Sequence, residues 1–183
     1  FDHADSTNQI RVIDALLKSF DIPGLELFYR SYECHQNDAL IHQMHRISHH
    51  AKKYHVQHEF NYLMSNLIDE KGLAHVTEED ILSVSASLYL DRDQMIHILR
   101  NDDYHDAVVS NFENALLKKI HAIPHMRIEG KIKLEGYQTL ASLIAHFNHA
   151  KMNLKPNEHC EGEHCGRKKT WLSFFYDLVV FYD

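Results

Sequence analysis

Residues 122–131 read AIPHMRIEGK, and this stretch says more about the fold than any other part of the chain. The pattern predicts one short strand over residues 126–129 and a second over residues 132–134. Gly130 and Lys131 lie between them and predict a tight hairpin turn. The step from Ile123 to Pro124 comes just before the first strand. The sequence therefore predicts a β-hairpin that follows a proline.

The N-terminal segment predicts one helix and one strand. Apolar residues recur at helical spacing over residues 7–20, and Ser6 or Thr7 is a suitable N-terminal cap. A proline–glycine pair at residues 23–24 ends this helix, because both residues interrupt regular structure. Residues 25–34 then alternate and are rich in aromatic side chains, which is typical of a strand.

The middle of the chain, residues 37–120, is helical in pattern throughout. Gly72 follows the second helix, at a position where glycine commonly ends one. Thr77 and Asp80 have the spacing of a capping box at the start of the next. The first two predicted helices span residues 40–55 and 57–70. The third follows Thr77, the fourth begins at Asp91, and the fifth begins at Asp102 or Asp103.

Three segments follow the hairpin. Residues 137–152 form an amphipathic helix, residues 153–170 are polar, and residues 171–181, WLSFFYDLVVF, suit a buried strand. Strands and helices in this order predict an α/β fold with a helical insertion. The expected units are residues 1–36 and 121–153 as the α/β domain, 37–120 as the helical insertion, 154–170 as a polar Cys/His tail, and 171–183 as a strand completing the sheet.

Composition is that of a soluble globular protein. Of the 183 residues, 44% are hydrophobic and 25% are charged, so a core of ordinary size can form. The formal net charge of −7 argues against nucleic acid and against an anionic membrane as partners. No apolar stretch has the length of a transmembrane helix. Three cysteines are too few for a disulfide-dense secreted scaffold, so a reducing cytoplasm is expected.

Two of the three cysteines lie in the polar tail. Residues 159–165, HCEGEHC, interleave two thiols with two histidines. Three interpretations stay open: thiols without a role, a redox pair that closes a short disulfide, or a zinc site. The zinc ligands would be His159, Cys160, His164 and Cys165, two sulfur and two nitrogen donors of the kind zinc prefers. Cys34 is expected to be a small buried apolar residue.

Histidine is abundant, with 17 residues, so acidity will change the net charge strongly. His42, His45 and His49 fall on one face of a predicted helix, and His146 with His149 on another. Either set could form one face of a metal site, but no acidic partner recurs within either pattern. These histidines are therefore predicted to lie at the surface or at the edge of the core.

Five segments, in order along the chain, resemble one known family. They are residues 25–33 (LELFYRSYE), residues 101–108 (NDDYHDAV), the Ile123–Pro124 step, residues 130–138 (GKIKLEGYQ), and the C-x4-C pair of the tail. They are similar to the second strand, an insertion helix, the cis-proline step, the hairpin and the tail of the DsbA family of thioredoxin-fold proteins, especially its FrnE-like branch. The resemblance covers most of the chain.

The resemblance implies a thioredoxin-like domain with an all-helical insertion, and a thiol–disulfide oxidoreductase acting on protein or peptide thiols and disulfides. The family's cis-proline offers a backbone edge to the substrate, so Ile123 and Pro124 are implied substrate-binding residues. The family's paired cysteines fall on Asp2 and Asp5, which cannot form a mixed disulfide. These two residues are implied neighbours of the substrate and caps of the first helix. Redox work would then fall to Cys160 and Cys165, the implied catalytic pair.

The resemblance also implies a strand that is out of order. Residues 172–179, LSFFYDLV, are similar to the family's opening strand, yet they lie at the end of this chain. Three arrangements stay open: a permuted or swapped strand, the start of a second related domain, or an unrelated strand. The first is favoured because a four-stranded sheet needs its central strand, and this run is apolar enough to be one. A swapped strand would make the protein a homodimer.

Three functional classes follow from the resemblance. The first is an oxidoreductase homologue with a degenerate CxxC position and residual redox through Cys160 and Cys165. The second is a peptide-binding or adaptor module that keeps the groove beside Pro124 without catalysis. The third is a glutathione-dependent isomerase or transferase, since related families have serine at the cysteine position and Ser6 lies close to it. Glutathione and zinc are the cofactors that stay open.

Overall fold

The structure is a computed structural model that describes residues 1, 4–20, 25–33, 39–128, 130–153 and 176–182. Its helices are α1 (Ala4–Ser19), α2 (Ala39–Lys52), α3 (Gln57–Lys71), α4 (Glu78–Ser87), α5 (Arg92–Arg100), α6 (His105–Leu117) and α7 (Leu140–Asn153). Its strands are β1 (Leu25–Ser31), β2 (His125–Ile128), β3 (Ile132–Glu135) and β4 (Tyr176–Tyr182). The predicted α/β class is confirmed. None of the described helices is long and apolar enough to cross a membrane.

The four strands form one mixed sheet in the order β1-β4-β2-β3. β1 and β4 run parallel, and Ser31 lies opposite Tyr182. β2 runs antiparallel to β4, with His125 opposite Phe181, and antiparallel to β3. β4 therefore lies inside the sheet, between β1 and the hairpin.

The C-terminal run that the sequence predicts as a buried strand is β4. The strand covers Tyr176–Tyr182, and residues 171–175 of that run lie outside the described part of the chain. Val180 of β4 is fully buried in the main core. β4 pairs with β1 on one side and with β2 on the other.

The main hydrophobic core lies between the sheet and the helices. It gains its stability from apolar area removed from water. Its fully or almost fully buried members include Ile13 and Leu16 of α1, Met44 and Ile47 of α2, Phe60 and Met64 of α3, Met126 of β2, Leu143 and Phe147 of α7, and Val180. A second, small cluster joins Tyr32 to Ala115 and Ile120, and Ile123 packs against it. The residues before β2 therefore contact the residues after β1.

Several local signals form as the sequence predicts. Thr77 caps α4 in a capping box, and the Asp80 carboxylate accepts the Thr77 backbone N–H at 2.9 Å. Asp91 caps α5 by accepting a backbone N–H of its first turn. Gly72 ends α3 at φ 78°, and Gly130 forms the hairpin turn at φ 63°. Glycine adopts this left-handed backbone without a steric penalty.

The start of α1 differs from the prediction. The helix begins at Ala4, so Ser6 and Thr7 lie inside its first turn and do not cap it. Thr7 Oγ1 donates back to the Ala4 carbonyl at 2.9 Å. The repeat of apolar residues begins later than the helix itself, so a start taken from this repeat lies three residues too late.

The start of α6 also differs. The sequence places it at Asp102 or Asp103, whereas the helix begins at His105. Tyr104 has a left-handed backbone, with φ 66°, which the helix cannot include. In addition, β1 ends at Ser31 instead of continuing to residue 34, and α7 begins at Leu140 instead of residue 137.

Candidate functional site

Three strands have their ends at one edge of the sheet. β1 and β4 finish there, with Ser31 opposite Tyr182, and β2 begins there, with His125 opposite Phe181. Ligands of open α/β sheets bind beyond the carboxyl ends of parallel strands. We call this region the carboxyl edge, and it comprises residues 32–33 after β1, residues 123–125 at the start of β2, and residues 136–138 after β3.

The two implied substrate-binding residues of the hairpin lie at the carboxyl edge. Pro124 is buried, Ile123 is half-buried against the small cluster around Tyr32, and the bond between them is cis. His125 is buried as well, and burial, followed by the charge of Arg127, lowers its pKa. A neutral imidazole therefore follows the proline in the chain.

The first turns of α1 approach the same edge. Gln9 Oε1 accepts a hydrogen bond from the Gln138 backbone N–H at 2.6 Å, which ties α1 to the segment after β3. Asp5 is exposed in the first turn, where the helix dipole favours a carboxylate. Ser6 is 0% exposed, and its hydroxyl has no hydrogen-bond partner in the described part of the chain. The start of α1 thus offers an exposed carboxylate and a buried hydroxyl.

The other predicted site residues lie outside the described residues. They are Asp2, Cys34, His159, Cys160, His164 and Cys165. The catalytic pair and the zinc set therefore stay predictions.

The histidines on one face of α2 differ in their surroundings. His45 is 0% exposed, with its ring centroid 5.1 Å from that of Phe1, so the predicted surface or core-edge position is wrong for it. His49 Nε2 accepts from Asn111 Nδ2 at 2.9 Å, while Arg30 donates to Asn111 Oδ1 at 3.1 Å and so fixes the amide orientation. Burial, followed by the charge of His45, lowers the pKa of His49 to about 4. His49 is therefore a neutral hydrogen-bond acceptor.

A series of three hydrogen-bonded side chains begins at the end of β1. Glu33 Oε2 is 2.8 Å from His42 Nδ1, and His42 Nε2 is 3.0 Å from His105 Nδ1. Glu33 is buried at 5% exposure, His42 is partly buried, and His105 is exposed. We call these three residues the Glu–His–His chain. It leads from a buried carboxylate at the carboxyl edge to solvent.

Sequence reasoning missed this chain for a physical reason. His42 lies 9 residues from Glu33 and 63 residues from His105, so neither pair shares a helical or strand repeat. A helical pattern indicates an acidic partner for His42 only on its own helix, whereas the partner, Glu33, comes from the segment after β1. Packing of α6 against α2 and β1 brings His105 to the pair. No spacing rule could have found that contact.

Helix α2 also holds the loop that leads into α6. Arg46 donates to the Ile98 carbonyl of α5 and to two carbonyls of that loop, those of Asn101 and Asp103, the last at 2.7 Å. His50 Nδ1 lies 3.0 Å from the Tyr104 hydroxyl, and burial lowers the pKa of His50. These contacts fix the left-handed residue that precedes His105.

The described residues offer no ready metal site. No group of three or more His, Cys, Asp or Glu side chains among them is arranged to hold a metal ion. On α7, His146 is half-buried and His149 is exposed.

Comparison of the chain with family models, with curated proteins and with solved structures gives no match. The function must therefore be argued from the geometry and chemistry of this chain.

Proposed function

We propose that the protein is a thioredoxin-like member of the DsbA class that exchanges thiols and disulfides with protein or peptide substrates. The observation that carries the proposal is the sheet, in which β4 lies between the parallel strand β1 and the hairpin. The run that forms β4 resembles the family's opening strand, and β1 resembles its second strand. In the described part of the chain five α-helices separate β1 from β2, which corresponds to a helical insertion.

The substrate peptide lies beside Ile123 and Pro124 in this proposal. Both residues belong to the carboxyl edge, where open α/β sheets hold their ligands. Asp5 is exposed in the first turn of α1, the helix that Gln9 ties to Gln138, and its carboxylate can accept peptide N–H groups. Asp2 is assigned the same role.

The electrons pass through Cys160 and Cys165. Each thiol loses its proton and the two sulfurs form one S–S bond, while a substrate disulfide takes up two electrons and two protons and becomes two thiols. The first turn of α1 cannot substitute for this pair, because Asp5 and Ser6 cannot form a mixed disulfide. A fold alone does not specify a reaction, so the thiols must be tested directly.

A redox titration tests the proposal. The protein is equilibrated across glutathione buffers, with and without chelator, and each thiol is read by alkylation and mass spectrometry. We expect a Cys160–Cys165 disulfide that forms reversibly between about −200 and −300 mV. Cys160→Ser should abolish it, whereas Cys34→Ser, the matched control, should leave it unchanged. Thiols that stay inert, or that only chelator releases, would contradict the proposal.

A peptide-binding module without turnover is the second candidate. It is favoured by the exposed Asp5 and the buried Ser6 at the start of α1, where the family has thiols. Calorimetry with a disulfide-containing peptide and its Cys→Ser counterpart separates the two functions. Equal affinity supports the module, and a preference for the disulfide supports the oxidoreductase. Saturable binding of reduced glutathione without redox exchange would instead favour a glutathione-linked enzyme.

A further inference from the structure

The Glu–His–His chain has a defined direction of hydrogen bonding. An ionised carboxylate can only accept, so His42 donates from Nδ1 to Glu33. In the neutral ring of His42, Nε2 is then an acceptor, and His105 donates to it from Nδ1. This leaves the Nε2 lone pair of a neutral His105 outside the chain. Because His105 is exposed, that nitrogen is accessible to a substrate.

A proton taken up at His105 Nε2 creates a positive charge that the chain can share. Moving the Nδ1 proton of His105 to His42 Nε2 places the charge next to the Glu33 carboxylate, in a partly buried site where electrostatic attraction is strong. The start of α6 opposes a positive charge on His105, because a helix N-terminus is itself positive. Glu33, which is hydrogen-bonded to His42, supplies the opposite charge within the Glu–His–His chain.

The chain is held in place from two sides. Tyr104 precedes His105, and its hydroxyl is fixed by His50, while Arg46 holds the carbonyl of Asp103. Glu33 follows Tyr32, and the hairpin residue Ile123 packs against the small cluster around Tyr32. The exposed imidazole is therefore preorganised, and its carboxylate end adjoins the implied substrate-binding segment.

We propose that Glu33, His42 and His105 form a proton-transfer site in which His105 Nε2 is the general base for a thiol. The choice of a thiol as substrate rests on the proposed function, whereas the basic and nucleophilic character of His105 does not. Glu33 and His42 are positioning residues, because they act through His105 and do not contact the substrate.

The step balances as follows in atoms and electrons. His105 Nε2 takes the proton of the S–H group, and the electron pair of that bond stays on sulfur. The resulting thiolate attacks one sulfur of a disulfide, a new S–S bond forms, and the original S–S bond breaks. The leaving sulfur carries away the electron pair and accepts the proton from the imidazolium. The disulfide is the oxidant, and no other co-reactant is needed.

Modification with diethyl pyrocarbonate tests the base without involving any thiol. The reagent acylates neutral imidazole nitrogens, and peptide mass spectrometry gives the rate at each histidine. His75 is exposed and serves as the internal reference. We expect His105 to react about tenfold faster than His75, and Glu33→Gln or His42→Gln to remove this advantage. Glu113→Gln, which removes an exposed carboxylate of α6, should change nothing. Equal rates at His105 and His75 in the native protein would overturn the proposal.

A second measurement tests the thiol assignment separately from the Cys160–Cys165 pair. Exchange between reduced glutathione and a small aromatic disulfide is followed in the Cys160→Ser/Cys165→Ser variant, which cannot form that disulfide. We expect acceleration of about tenfold or more over buffer, lost on adding Glu33→Gln. If this variant accelerates exchange while Cys160 and Cys165 of the native protein do not titrate, the proposed function is wrong and the assignment of His105 as a base stands. A reactive His105 without acceleration would overturn thiol as its substrate.

Discussion

Two carboxylate–histidine chains are attached to β1, and they end in different surroundings. One is the Glu–His–His chain, which ends at the exposed imidazole of His105. The other, which we call the inner chain, runs from Asp14 through His58 to Tyr29, a residue that is 1% exposed. The two chains use similar groups. The accessibility of the last ring decides whether such a chain can act on a substrate or only stabilises the fold.

The inner chain is held mainly by one bond. The Tyr29 hydroxyl lies 2.7 Å from His58 Nδ1, and the two rings stack with centroids 5.8 Å apart. His58 Nε2 is 3.5 Å from Asp14, at the limit of a hydrogen bond and without its geometry, so this contact is a weak electrostatic one. Burial lowers the pKa of His58 although Glu59 and Asp14 act in the opposite direction. His58 is therefore neutral and accepts from Tyr29.

The largest expected effect comes from removing the Arg46 guanidinium, which holds the loop before His105 and so positions the Glu–His–His chain. Arg46→Met leaves three backbone carbonyls, one in α5 and two in the loop after it, without their charged donor, and we expect a loss of about 3 kcal/mol in the free energy of unfolding. The reactivity of His105 should fall to that of His75. Urea unfolding and the acylation assay measure the two effects. Arg100→Met, at an exposed arginine of α5, is the control and should cost less than about 0.5 kcal/mol.

Acid should weaken the fold through His49 of α2, which belongs to neither chain. The pKa of His49 falls to about 4 in the folded state, from about 6.5 in the unfolded state, so protonation favours unfolding. Its stabilisation is complete above about pH 6.5 and is lost as the pH falls toward 4, by about 2–3 kcal/mol in total. Urea unfolding at several pH values measures this loss. His49→Gln, which can still accept from Asn111, should make the profile shallower, and an unchanged slope would refute the assignment.

Breaking the inner chain should affect stability alone. Tyr29→Phe removes the hydroxyl and leaves the buried His58 Nδ1 without its donor, so we expect a cost of about 1–2 kcal/mol. The reactivity of His105 should not change, because the two chains share no residue. Tyr89→Phe is the matched control, since Tyr89 is 98% exposed. A fall in His105 reactivity on Tyr29→Phe would show that the chains are coupled.

The comparison also shows what the sequence can predict. Features set by near neighbours could be read from it, because the interacting groups lie within a few residues: the capping box at Thr77, the cap at Asp91, the hairpin at Gly130 and the apolar run that becomes β4. The sequence does not mark the start of a helix whose N-cap departs from the usual capping residues. Tyr104 is a left-handed N-cap without a side-chain hydrogen bond, so no residue pattern marks it.

Both histidine chains depend on contacts that sequence spacing does not encode. His58 meets Tyr29 across 29 residues, and His42 meets His105 across 63. The sheet order that brings β1 beside β4 also joins segments from opposite ends of the chain. Residue type and spacing therefore predict surface histidines, whereas the contact between His42 and His105 comes only from the packing of α2 against α6.

The smallest expected change in stability is the one that separates the two chains most clearly. His105 is exposed, so His105→Ala should change the free energy of unfolding by less than about 0.5 kcal/mol, as His75→Ala should. The same variant should lose all the acceleration of thiol exchange, because His105 is the exposed end of the Glu–His–His chain. If urea unfolding instead shows a loss of stability near that of Tyr29→Phe, the Glu–His–His chain stabilises the fold as the inner chain does. Unchanged stability with lost exchange would show that His105 takes part in the reaction and does not stabilise the fold.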